Sequence, residues 1–238
     1  MRLRLTLEYD GTGFSGWARQ PGLRTIEDTV RDALDRVFPR WDELVVGGRT
    51  DTGVHARGQV CSVEIEGGPP PDRVAEALNT ALPDDVAVLS AAVVPSDFHA
   101  RFSARSRSYR YVVLNRRERS ALEARRALWV PQPLDAEVLD AAAALVIGEH
   151  DFRAFTPTET QHHVFVREVF TARWERRGDH LHFTVTANSF LRHMVRTLVG
   201  TMLERGGEGL TELLAGAERK EAGMTAAPWG LYLECVEY

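Results

Sequence analysis

The chain opens on a two-residue period. Leu3, Leu5, Leu7 and Tyr9 alternate with Arg2, Arg4, Thr6 and Glu8, the pattern of a strand with one buried face. Such a strand must belong to a sheet, and the elements that follow say which kind. From Thr25 to Phe38, Ile26, Val30, Leu34, Val37 and Phe38 fall on one helical stripe. Thr25 and Asp28 stand there at capping-box spacing. Strands are expected near Glu43–Val46 and Gln59–Ile65. A helix is expected across "GGPPPDRVAEALNTALP", with prolines at its start and Pro83 after its end. Val86–Val94 reads as a strand, so this part runs β, α, β, loop, β, α, β.

The remainder repeats the theme with different lengths. Arg107–Asn115 reads as a strand, and "LDAEVLDAAAALVIG" as a helix packed through Val138, Leu139, Ala142 and Leu145. Val166–Arg176 and His180–Ala187 form a hairpin pattern around "RRGD". "SFLRHMVRTLVGTMLER" reads as a strongly amphipathic helix, and "WGLYLECVEY" as a closing strand. Helices and strands mix without regular βαβ alternation, which favours an α+β fold with a largely antiparallel sheet. The similar element order points to two α+β halves with a cleft between them, residues 1–102 and 103–238.

At 238 residues the chain buries a core without disulfides or metal. No apolar run approaches the roughly 20 residues of a membrane span, and the N-terminus lacks the apolar stretch of a signal peptide. The expectation is a cytoplasmic protein with no membrane attachment. Cys61 and Cys235 lie in apolar, strand-like surroundings and read as buried thiols rather than a disulfide. No spacing matches a structural zinc site; "QHH" at Gln161–His163 is a metal hint only.

Twenty-nine basic and 34 acidic residues give a net charge of −5, which taken alone argues against nucleic acid. The distribution argues otherwise. Arg101–Arg119 carries seven arginines and one acid, Glu118, interleaved with Tyr109 and Tyr111. Basic residues set among aromatics neutralise phosphates and stack on bases; the same pattern also fits a solvated strand face.

"GGRTDTGVHARGQV", Gly47–Val60, is too polar for core and too rich in glycine for a helix. Asp51 lies in it, with Arg49 two residues before and His55 four after. Either the loop presents this acid to a ligand, or Asp51 is an Asx-turn residue. A carboxylate that stays ionised against a ligand needs an opposite charge nearby. Arg192 and Arg196, spaced i, i+4 on the last helix, are candidates; the alternative is solvated arginines whose stems cover apolar surface. His55 reads as a loop partner rather than a general base. Phe14 and Trp17 either contact RNA or staple the first loop onto the core.

"GRTDTGVHARGQV" resembles the signature loop of the tRNA pseudouridine synthase A (TruA) family. "YDGTGFSGWARQP", "NTALPDDVAV", "FHARFSARSRSYRYVVLN", "GEHDFRAFT", "NSFLRHMVRTLVGTML" and "APWGLYLECVEY" resemble that family's other blocks, in its order. The resemblance implies a pseudouridine synthase-like fold of two α+β halves with joined sheets and a central catalytic cleft. It implies that Asp51 is the catalytic aspartate, Tyr109 the aromatic residue held over the uracil, and Arg196 the arginine paired with the aspartate. It also implies a homodimer, no cofactor, and uridines 38 to 40 of the tRNA anticodon arm as substrate; the absence of metal-ligand spacing adds the expectation of no metal. Tyr109, Arg49, Arg105, Arg107 and Arg110 are the expected RNA contacts. The chain departs from the family at Ala18, where glutamine is frequent. Three rivals stay open on residues alone: a non-catalytic RNA-binding module, a metal-dependent phosphoesterase built on Asp51, His55, His150 and Asp151, and a purely structural subunit.

Overall fold

The computed structural model describes residues 1–160 and 162–238, so of the metal hint at Gln161–His163 only Gln161 lies outside the described residues. The chain forms two compact units, Met1–Arg105 with Leu233–Tyr238, and Ser106–Tyr232. The architecture is α+β and its strand pairings are almost all antiparallel.

In the first unit, β1 (Arg2–Tyr9) lies between β3 (His55–Glu66) and β4 (Val86–Val93), antiparallel to both. β2 (Arg40–Val46) pairs with the far end of β3. The two-residue period works as expected: Leu3, Leu5 and Leu7 are wholly buried, each stabilising the fold by roughly 1.5–3 kcal/mol relative to exposure. The helix α1 (Ile26–Val37) buries Ile26, Val30, Ala33 and Leu34. Its N-cap Thr25 accepts the Asp28 amide at 3.2 Å, and the Thr25 hydroxyl donates to Asp28 Oδ2 at 2.7 Å. The short aspartate thus returns to the hydroxyl of its partner. The helix stops at Phe38 because Pro39 follows and forces extended backbone on the residue before it. α2 (Val74–Ala81) ends the same way, with Leu82 extended ahead of Pro83.

In the second unit, β5 (Ser106–Leu114), β9 (His180–Ala187), β8 (Val166–Arg177) and β7 (Gly148–Asp151) pair antiparallel in that order. The two-residue β6 (Leu128–Trp129) adds a parallel pairing to β5. α3 (Ala136–Ala144) buries Leu139, Ala142 and Ala143. Val138 and Leu145, expected in that interface, are 51% and 43% exposed. The buried stripe is centred one position later, and the helix ends before Leu145. β10 (Leu231–Glu237) closes the chain; Leu231 and Tyr232 belong to this unit and the rest of the strand to the first.

The last long helix, α4 (Met194–Arg205), corrects two expectations. It begins at Met194, because His193 adopts a left-handed conformation with φ of 63°. Arg192 therefore lies outside the helix, exposed, and shares no helical face with Arg196. Over its first turns α4 also turns little polar surface to water; its exposed polar residues, Glu204 and Arg205, lie at its end. Met194, Val195, Leu198, Val199 and Met202 are buried, and so are Thr197 and Thr201. The polar side is roofed by the 222–227 segment. Gly223 N–H donates to Thr201 Oγ1 at 3.0 Å, and the Thr197 and Thr225 hydroxyls meet at 3.1 Å. Gly200 makes the close approach feasible: a Cβ there would lie 1.7 Å from the Met224 carbonyl oxygen. α5 (Leu210–Leu214) follows, with Leu210, Leu213 and Leu214 buried.

Cys61 is buried and Cys235 half-buried, both as free thiols. No helix among the described residues is long and apolar enough to cross a membrane.

Candidate active site

Asp51 is half-buried in a loop fixed on both sides of it. Before it, the Thr50 carbonyl accepts the Trp17 amide at 3.0 Å; after it, Gly53 N–H donates to the Phe14 carbonyl at 3.2 Å. Within the loop, Val54 N–H donates to the Asp51 carbonyl at 3.1 Å. Gly53 has a φ of 76°, which only glycine adopts without strain, and this sets the turn. Arg49 and Thr52 are exposed while Thr50 is buried, so Thr50 anchors the loop to the core between solvent-facing neighbours.

A buried hydrogen-bond chain holds the Thr50 side. The Tyr9 hydroxyl meets Thr50 Oγ1 at 2.7 Å and accepts from Gln59 Nε2 at 3.2 Å. Gln59 Nε2 also donates to the Gly48 carbonyl at 2.7 Å. Arg49 is thereby bracketed by two anchored neighbours. Burial pushes the Tyr9 phenol up to about 12, opposed by the Thr50 and Gln59 hydrogen bonds, so at neutral pH it is a neutral hydrogen-bonding group.

Phe14 and Trp17 are buried, at 2% exposure each, and their backbone groups carry the contacts to the Asp51 loop. They staple the first loop to the core and leave no ring face for RNA. His55 is a structural partner as expected: it is buried, with Nδ1 3.1 Å from the Gly11 amide nitrogen and 3.1 Å from Asp10 Oδ1. Either contact ties the start of β3 to the loop after β1. Among the described residues, no three His, Cys, Asp or Glu side chains gather as a metal site, which removes the arrangement the phosphoesterase reading requires.

The second unit holds Tyr109 and Arg196. Tyr109 is 8% exposed on β5, and its ring and that of Phe190 meet in a T-shaped contact with centroids 5.0 Å apart. Tyr111, on the same strand face, is core: wholly buried, its hydroxyl donates to the Ala227 carbonyl at 2.7 Å. Burial drives the Tyr111 phenol upward, against the opposing pull of the Arg196 charge. Arg196 Nε donates to the Ala226 carbonyl at 2.8 Å, while Ala226 N–H donates to the Arg196 carbonyl at 3.0 Å. α4 and β5 thus grip the Ala226–Ala227 backbone from two sides, and this grip fixes Arg196.

The remaining arginines differ in placement. Arg105 is exposed, and Arg110 is half-buried with its guanidinium 5.0 Å from the Tyr232 ring centroid. Arg107 is 8% exposed and donates to the Asn188 carbonyl at 2.8 Å, joining β5 to the end of β9. Arg107 and Arg110 lie on opposite faces of β5, since odd and even positions alternate. The sequence reading missed Tyr9 and Gln59. Their signal was a polar tip on an apolar-phase position of a strand, which needs a buried partner.

A sequence profile described as "tRNA pseudouridine synthase" matches residues 6–103 and 142–238. Tyr109 falls in the stretch the profile leaves out. Relatives match over the whole chain. The protein named "tRNA pseudouridine synthase A" from Bartonella tribocorum is 38% identical, covering 100% of this chain and 99% of its own. Those of the same name from Bacillus pumilus and Idiomarina loihiensis are each 41% identical, covering 100% of this chain and 99% and 93% of theirs. A profile spanning most of both units, together with identity of this order over full length, shows that the chain belongs to the tRNA pseudouridine synthase family.

Proposed function

We propose that this protein is an isomerase that converts uridine to pseudouridine at positions 38–40 of the tRNA anticodon stem-loop, with Asp51 as the essential carboxylate. The observation that carries the reading is the loop itself. It fixes a half-buried acid through hydrogen bonds on both flanks, in a chain whose full-length relatives bear the name of that enzyme.

The reaction breaks the N1–C1′ bond, turns the uracil and joins its C5 to C1′; N1 gains a proton and C5 loses one. The target base must first leave its stack, because no side chain reaches C1′ inside a helix. Asp51 then either attacks C1′ as a nucleophile or removes the 2′ proton to give a glycal. Both routes require the carboxylate, and in this proposal Arg196 keeps it ionised and oriented. The double contact of Arg196 with Ala226 supports that role, because a guanidinium held by its Nε has few rotamers left. Tyr109, its ring fixed by Phe190, holds the detached uracil by stacking. Arg49 occupies the space of the flipped base, and Arg105 and Arg110 meet phosphates. We further propose that the enzyme works as a homodimer, in the cytoplasm, without a cofactor.

The test is a map of pseudouridine in tRNA from cells lacking this protein. Loss of the modification at positions 38–40, restored by the wild-type gene and not by Asp51→Asn, is the expected result. An unchanged map overturns the assignment.

A further inference from the structure

In the basic segment after β4, Tyr111 is core and Tyr109 is buried at the site assigned above to the reacting uracil. The aromatic side chain that this segment does expose is Phe102, at 76%. We propose that Phe102 is a stacking platform for an unpaired nucleobase of the RNA substrate, flanked by Arg101 and Arg105 as phosphate contacts. The inference rests on the tRNA-modifying reading above.

Three observations carry it. First, the exposure is built. The His99 ring stacks on Phe102 with centroids 4.4 Å apart and planes 26° apart. His99 Nδ1 faces the backbone amides of Arg101 and Phe102 at 3.2 and 3.1 Å, and Ser103 N–H donates to the His99 carbonyl at 2.9 Å. The turn is also anchored beneath: Ala100 N–H donates to Ser62 Oγ at 3.2 Å, and its carbonyl accepts the Tyr238 hydroxyl at 2.7 Å. A ring held out by a tight, anchored turn has little conformational freedom left to lose on binding. Second, the charge fits. Arg101 and Arg105 are exposed, the Arg101 guanidinium lies 5.4 Å from the Phe102 ring centroid, and no acid occurs from Phe98 to Arg117. Third, the chemistry fits a base better than an apolar partner. A phenyl ring backed by His99 and flanked by arginines offers a π-surface and cations, the pairing that single-stranded nucleic acid uses.

The experiment measures binding and single-turnover modification of an unmodified tRNA anticodon stem-loop by wild type, Phe102→Ala and Phe102→Trp, with the oligomeric state of each. Phe102→Ala should weaken binding by about five-fold or more, the lower bound for one lost base–aromatic stack. Its rate at saturation and its thermal midpoint should stay at wild-type values, because the ring supports no core. Phe102→Trp should restore affinity. Phe102→Ala binding within two-fold of wild type, while wild type binds and modifies, overturns the platform and leaves the enzyme reading intact. A change of oligomeric state in Phe102→Ala overturns it in favour of a subunit contact. Failure of wild type itself to modify the stem-loop counts against the enzyme reading instead.

Discussion

Tyr9→Phe removes one oxygen atom, far along the chain from Asp51, and should slow the reaction. That oxygen meets the Thr50 hydroxyl at 2.7 Å and accepts from Gln59 at 3.2 Å, in a buried site. Its loss leaves Thr50 Oγ1, in a residue only 6% exposed, without this partner, while Gln59 keeps the Gly48 carbonyl. A buried hydroxyl stripped of its partner costs about 1–3 kcal/mol, so stability should fall by that amount. Thr50 immediately precedes Asp51, and a displacement of about 1 Å at a reacting group can cost on the order of 100-fold in rate. The expectation is a fall in kcat of about 10- to 100-fold with KM within a few-fold. Urea unfolding reads the first effect as a shift in midpoint at constant slope, and single-turnover kinetics at saturating tRNA read the second. Adding Thr50→Val removes the stranded hydroxyl, so the double variant should be less destabilised than the sum of the two single changes. A Tyr9→Phe protein with wild-type midpoint and wild-type rate would refute the argument that this chain positions the loop.

Three further outcomes follow from the same geometry. Arg196→Met should cut the rate strongly, and Asp51→Asn with Arg196→Met should cost little more than either alone, since residues acting as a unit are not additive; additive losses in single-turnover rates would separate the two residues. Alanine at both Arg105 and Arg110 should flatten the dependence of tRNA affinity on salt, and an unchanged slope in binding titrations places the phosphate track elsewhere. Stability should fall at alkaline pH. Burial raises the Cys61 thiol from 9.0 to about 12 and the Tyr9 phenol from 10.0 to about 12. Above pH 9 to 10 the unfolded chain therefore releases protons that the folded chain keeps. This contribution is complete below those unfolded values and is lost as pH rises toward 12. Urea midpoints at pH 8 and 11 should show the loss, and Cys61→Ala should reduce it.

Where a residue pattern repeats with a fixed period, the sequence was a sufficient guide. The alternation from Leu3 to Tyr9, the stripe Ile26–Val30–Leu34 and the hairpin of β8 and β9 were all legible. The short β6 and β7 were not, because two or four residues carry no period. The polar side of α4 looked solvent-facing since its cover, residues 222–227, is an irregular segment whose docking depends on single atoms such as the missing Cβ of Gly200. In the candidate site, Asp51 stood out by its loop and Arg196 by its half-apolar setting. Tyr9 and Gln59 did not, because each looks like an ordinary strand residue until register places them together. Helical spacing also misled at Arg192, where a left-handed His193 breaks the helix before it begins. Such a break has no signature in periodicity.

The central claim is that one carboxylate, held by the loop between β2 and β3, performs the chemistry. Its most direct measurement is single-turnover formation of pseudouridine in an unmodified tRNA anticodon stem-loop by purified wild type and Asp51→Asn, in excess EDTA, with binding measured in parallel. Wild type should modify positions 38–40, Asp51→Asn should give no detectable product, and the two stem-loop affinities should agree within a few-fold. Turnover by Asp51→Asn near the wild-type rate would contradict it.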